Sequence, residues 1–271
     1  MKEPNIIYLA INLPASTKRR EHIQQQGALQ GITVQIVEAV SGKTLTDEQK
    51  KMYDSRKRES MYINHLTPNE QACVHSHRKA LSTFLASEAD YAVVLEDDAT
   101  FEPNFVSGIK FMINSVPGWE CCKLYTEPSV LYPLCPAIAD APVQPVFPKK
   151  IPWGAIGYLY SRAGAEKVLS HFDSFWLGAD TQLADIMLKH RIPVTGVVPN
   201  LVNTLYAHNE QSDIDAGGHR IIGAPAAHYI PTRTKRTLMQ YLRYRSSVIG
   251  RAIGKWQMCR QMRRIFKKNL A

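Results

Sequence analysis

The chain has 271 residues, 45% of them hydrophobic and 21% charged, with five cysteines and a net charge of +9 at pH 7. That length and apolar content can bury a full core, which excludes bulk disorder. The odd cysteine count and the lack of any C-x-x-C pair exclude a readable disulfide framework or zinc knuckle, so a reducing cytosol is the expected setting.

No stretch reaches the length of a transmembrane helix. The apolar run Ile6 to Leu13 is too short and interrupted to read as a secretory signal. The charge is uneven. Thr232 to Ala271 holds twelve Lys or Arg and no acid, which leaves 21 bases against 24 acids, about −3, for the rest. The expected organisation is therefore a slightly acidic domain over residues 1–231 and a basic tail over 232–271.

In chain order, Ile6 to Asn12 reads as a strand and Ser16 caps a helix to about Leu29. Thr33 to Val40 alternates like a second strand, and Thr46 to about Lys57 is a polar helix or loop. Thr67-Pro68-Asn69-Glu70 is a capping box that opens a helix to about Ser87. Tyr91 to Glu96 is a buried strand, followed by a helix from Phe101 to Ser115 and a short strand at Cys122 to Tyr125. Pro128 to Pro152 is proline-rich and aperiodic, a long loop or β-ribbon of the kind that often forms a functional lid. Gly154 to Tyr160 is a strand, Ser161 caps a helix to about His171, and Asp180 opens another to about His190. Pro193 to Val198 is a strand, and Asn203 to Tyr206 is a candidate for one more. This alternation predicts an α/β fold with a mostly parallel sheet.

The chemistry concentrates at Tyr91-Ala92-Val93-Val94-Leu95-Glu96-Asp97-Asp98. Three carboxylates at the end of a buried strand repel one another, and a divalent cation is the usual partner. The period of two puts Glu96 and Asp98 on one face and Asp97 on the other. A solvated acidic turn fits the tripeptide alone equally well. A glycosidase pair is disfavoured, because its carboxylates must flank the scissile bond. Asn12 to Arg20 holds no G-x-G-x-x-G and the chain no P-loop, so any nucleotide is held without those devices. Arg19 and Arg20 are candidates for phosphate or base contacts, against two plain solvated arginines. His75 and His77 point to different faces of one helix. His208 follows a strand-like run, and Asp180 sits where helix capping is the default role.

Taken together these residues resemble glycosyltransferase family 25, the group with lipooligosaccharide and collagen galactosyltransferases. The resemblance runs through Ile11-Asn12-Leu13 with Arg19 and Arg20, then Ala39 and Gly42. It continues at Leu66-Thr67-Pro68 with Glu70, Ala72 and Cys73, at His75-Ser76-His77, and at Leu95-Glu96-Asp97-Asp98. It resumes at Gly157-Tyr158, Ser161, Gly164, Ala165, Asp180, His208 and Ser212-Asp213. Ala72 stands where the family often has glycine.

The resemblance implies a GT-A-like fold: a single Rossmann-type domain that binds a nucleoside-diphosphate sugar. It implies inverting transfer of galactose from UDP-galactose to a lipooligosaccharide or lipopolysaccharide glycan, as a β-1,4 linkage. UDP-glucose and UDP-GlcNAc are the alternative donors. Asp98 would hold Mn²⁺ or Mg²⁺, His208 would be a further ligand, and Glu96 would share the metal or meet the ribose. Asn12, Leu13 and Arg19 would line the uridine pocket, His77 would close it, and Asp97 would neighbour the donor as a structural residue. Asp180 is the expected general base, with Asp97 and Glu70 as competitors. Trp153 would offer a face for sugar stacking.

In the tail, Leu238, Leu242, Ile249, Ile253 and Trp256 fall at helical spacing among bases, interrupted by Gly250 and Gly254. An amphipathic basic helix of this kind suits an anionic membrane surface, with a lipid-linked oligosaccharide as acceptor at the inner face of a bacterial inner membrane. Nucleic-acid binding is the runner-up and is not expected. A helix packed on the domain with a solvated basic face is the third reading. The contrasting class is a non-enzymatic membrane- or nucleic-acid-binding protein on a degenerate transferase fold.

Overall fold

The computed structural model describes residues 3–61, 65–126, 131–134, 137–148, 154–205 and 238–269. An eight-stranded sheet forms the centre, in the order β2-β1-β3-β8-β5-β9-β7-β6. Its first half is parallel: β1 (Ile6–Asn12) pairs with β2 (Val34–Glu38) on one side and β3 (Tyr91–Glu96) on the other. The sequences Ile-Ile-Tyr-Leu-Ala-Ile-Asn and Tyr-Ala-Val-Val-Leu-Glu are nearly unbroken apolar runs because both faces of these strands are covered.

β8 (Gly157–Ser161) inserts antiparallel between β3 and β5 (Cys121–Lys123), and β5 then pairs in parallel with β9 (Val194–Val198). β7 (Gln144–Pro148) and β6 (Leu131–Pro133) extend the edge as an antiparallel ribbon. Six of the eight strands therefore run one way, and only β8 and β7 are reversed. This is the expected α/β class with a mostly parallel sheet.

Helix α1 (Thr17–Leu29) connects β1 to β2. The short α2 (Asp47–Lys51) and α3 (Ser55–Ser60) precede α4 (Pro68–Leu85), whose capping box is formed: Thr67 Oγ1 accepts from Glu70 N, and Glu70 Oε2 from Thr67 N. Val74, Ala80, Leu81 and Phe84 carry α4 into the core. α5 (Phe105–Ser115), α6 (Arg162–Ser170) and α7 (Ala179–Lys189) complete the domain.

The expected helix at Phe101 starts four residues later. β4 (Ala99–Phe101) pairs antiparallel with β10 (Val202–Thr204) in a separate two-stranded sheet, and Pro103 disfavours helix at Glu102.

The tail forms α8 (Leu238–Asn269). Met258, Met262 and Phe266, at i, i+4 and i+8, join the main core, while Ile253 and Trp256 are exposed by 51% and 62%. The buried stripe lies beyond the apolar positions that the sequence singled out. Half-buried Gly254 faces α7 one turn before Met258, where a Cβ would lie in ordinary contact, 3.8 Å from the Leu188 carbonyl oxygen.

Candidate active site

The carboxyl ends of β1, β3 and β5 bring Asn12, Glu96 and Lys123 to one edge of the sheet. The start of β8 and the first turn of α7 close over the same edge. Edges of this kind are where open α/β sheets take ligands.

The three acids go three ways. Asp97 Oδ2 accepts from Asn12 Nδ2 at 2.6 Å, and Asp97 Oδ1 pairs with Arg19 NH1 at 3.0 Å. Burial still raises the Asp97 carboxyl above its ordinary value, against the opposing pull of Arg19 and Asn12. Asn12 also donates to the Ser16 carbonyl at 3.0 Å and accepts from Arg20 Nε at 3.1 Å. Asn12, Arg19 and Asp97 are therefore one clamp between the β1–α1 loop and the turn after β3. Leu13 lies half-buried beside it.

Asp98 turns to the small sheet, where its Oδ2 accepts from Thr204 Oγ1 at 2.8 Å and its carbonyl accepts from Leu205 N at 2.9 Å. Asp98 is 5% exposed, and burial together with the nearby Glu96 charge pushes its carboxyl up to about 7. Among the described residues no cationic side chain forms an ion pair with it. A buried carboxylate in that state fits a cation site, because a bound ion supplies the missing countercharge.

Glu96 turns to α4. Its Oε1 meets His77 Nε2 at 3.2 Å and Cys73 Sγ at 4.0 Å. His77 is 2% exposed and sits behind the acid. His75 is buried too, with Nε2 3.0 Å from the Gln49 carbonyl and its ring edge-on to Phe175; burial lowers its pKa.

Asp180 lies in the first turn of α7, and the helix cap is Gly178. Asp180 Oδ1 accepts from Thr181 N at 2.6 Å and Thr181 Oγ1 at 3.0 Å; Oδ2 accepts from Gly154 N at 2.9 Å. The carbonyl of that glycine accepts from Lys123 Nζ. Gly154 has φ +93°, a conformation that L side chains rarely adopt. Lys123 is 1% exposed, and burial pushes its ammonium down to about 8 while Asp180 and Glu96 pull the other way. Of the competing bases, Glu70 is held in the α4 cap and Asp97 in the clamp.

His208, Trp153 and the Ser212-Asp213 pair lie outside the described residues. Sequence reasoning missed Lys123, Thr204 and the alignment of Cys73 with Glu96. Only Lys123 left a trace, as a base interrupting Cys121-Cys122-Lys123-Leu124 at a strand end.

Residues 5–131 match the sequence model of a family described as glycosyltransferase family 25 (LPS biosynthesis protein). Procollagen galactosyltransferase 2 of Homo sapiens is 27% identical over 173 residues, 59% of this chain and 26% of the relative. A glycosyltransferase 25 family member of Anopheles gambiae is 32% identical over 123 residues, 42% of this chain and 20% of the relative. The chain thus spans about a quarter or less of the length of these curated relatives. Among solved structures, a glycosyltransferase involved in the glycosylation of the major capsid of PBCV-1 aligns with TM-score 0.36 and 13% identity. That alignment covers 71% of this chain and 81% of the other.

Proposed function

We propose, from the family 25 glycosyltransferase segment at residues 5–131, that this protein transfers galactose from UDP-galactose to a glycan hydroxyl with inversion. The observation that carries this reading is the end of β3 inside that segment. There a buried Asp98, without a cationic partner among the described residues, stands with Glu96 at the sheet edge, and Asp180 closes over the same edge from α7. The galactosyltransferase relatives support the sugar, and UDP-glucose and UDP-GlcNAc are the competing donors.

Asp98 would hold a divalent ion such as Mn²⁺ or Mg²⁺, with Glu96 and His208 as the further ligands. Bound there, the ion would neutralise charge on the departing diphosphate. The chain's own groups do the rest. The Asn12–Arg19–Asp97 clamp fixes the loop that lines the uridine side. Glu96, held from behind by His77, faces the donor. Asp180, oriented by Gly154 N and Thr181, takes the proton of the acceptor hydroxyl.

The acceptor proposed is a lipid-linked lipooligosaccharide or lipopolysaccharide glycan at the inner face of a bacterial inner membrane. The exposed Ile253 and Trp256 on a helix without acids support contact with an anionic surface. Among the described residues no helix is long and apolar enough to cross a membrane.

The test is hydrolysis and transfer with a panel of UDP-galactose, UDP-glucose and UDP-GlcNAc, with and without Mn²⁺, on a truncated lipooligosaccharide acceptor. Wild type is expected to turn over UDP-galactose fastest, and Asp98→Ala to lose turnover and its metal dependence. Undiminished turnover by Asp98→Ala in chelator sinks the assignment of Asp98.

A further inference from the structure

Cys73 and His77 lie four residues apart on α4, so their side chains share one face of the helix. Glu96 meets that face from the end of β3. The sulfur, an imidazole nitrogen and a carboxylate oxygen all lie within 4.8 Å of one another, the single such group of three among the described residues. Two of the separations are 3.2 Å (His77 Nε2 to Glu96 Oε1) and 4.0 Å (Cys73 Sγ to Glu96 Oε1). Zinc bonds of about 2.0–2.3 Å at tetrahedral angles place ligand atoms about 3.4–3.6 Å apart. The two separations to Glu96 lie within about half an ångström of that geometry.

We infer that Cys73, His77 and Glu96 form a binding site for Zn²⁺ or a similar divalent ion, which shares Glu96 with the oxygen-rich site at Asp98 but takes its other ligands from α4. Thiolate and imidazole favour zinc, whereas carboxylate and hydroxyl oxygens suit manganese or magnesium. Cys73 and Glu96 are partly exposed, so the ion has a path from solvent, and water fills the fourth position. Thiolate is the ligating form, so the thiol proton passes to solvent as the ion binds. Zinc at this site withdraws Glu96 from the donor and inhibits transfer. That last consequence rests on the function proposed above, but the site itself does not.

The probe is Co²⁺, titrated into the intact, donor-free protein and followed by absorption. Wild type is expected to show a thiolate-to-metal charge-transfer band with tetrahedral visible bands, displaced by Zn²⁺. Cys73→Ser is expected to lose the thiolate band while keeping its far-UV circular dichroism. Cys259→Ser, at the half-buried cysteine of α8, is expected to keep the band. His77→Gln should weaken binding by at least about tenfold. A wild type without the band, or a band that survives Cys73→Ser, overturns the site. Should Cys73→Ser fail to fold, unchanged Co²⁺ affinity in His77→Gln overturns it instead. Cobalt bound without a thiolate band reports the Asp98 site alone and also counts against the inference.

Discussion

Neighbouring residues with the same chemistry hold different positions here, and their partners decide which. Asp97 and Asp98 are both buried acids. Asp97 has an arginine and an amide, while Asp98 has one hydroxyl donor and a displaced pKa. For Asp180→Asn we predict lost turnover with UDP affinity kept within about twofold, read by calorimetry beside the transfer assay; a base is needed in the transition state and not for donor binding. Loss of UDP binding in that variant would move Asp180 to a donor or structural role.

Lys123 supports a second prediction. Its pKa falls from 10.5 to about 8 on folding. Between those values the folded chain binds fewer protons than the unfolded chain, so the group's contribution to stability is full above about 10.5 and is lost as pH falls through 8. The span is on the order of 3 kcal/mol. Urea melts of wild type and Lys123→Met at pH 7.5 and 10 should show the wild type's relative stability rising with pH. A difference independent of pH would mean that the ammonium is not buried.

At the scale of elements, α8 turns Met258, Met262 and Phe266 into the core and leaves Ile253 and Trp256 exposed. Methionine's unbranched side chain adapts to an irregular seam. Phe266→Ala should therefore cost about 3–5 kcal/mol in urea unfolding, and Trp256→Ala no more than about 0.5 kcal/mol. Equal costs would mean that the helix does not dock in this way. The exposed Ile253 and Trp256 give a different test. Sedimentation with vesicles rich in anionic lipid should capture wild type, less of Trp256→Glu, and little of either at high salt. Binding to RNA but not to such vesicles would remove the membrane from the proposal.

At the scale of the whole molecule, what was legible in the sequence was local. β1 and β3 were readable because strands covered on both faces are apolar throughout, and α4 because Thr67 and Glu70 form a reciprocal cap within four residues. The three acids marked a candidate site, against an acidic turn, because their clustering is expensive wherever it is buried. What stayed hidden depends on distant partners. The β4–β10 pairing joins residues about a hundred apart, and the Asn12–Asp97 clamp spans 85 positions. The placement of Cys73 and His77 against Glu96 requires knowing which face α4 turns to the sheet. The same is true of Gly154, an unremarkable glycine in sequence that follows the proline-rich connector. Its N–H holds Asp180 and its carbonyl holds Lys123, in a backbone conformation that other residues rarely adopt. Any exchange of the connector would then need a junction that retains this glycine. A graft that replaced it would disturb Asp180 and Lys123 together.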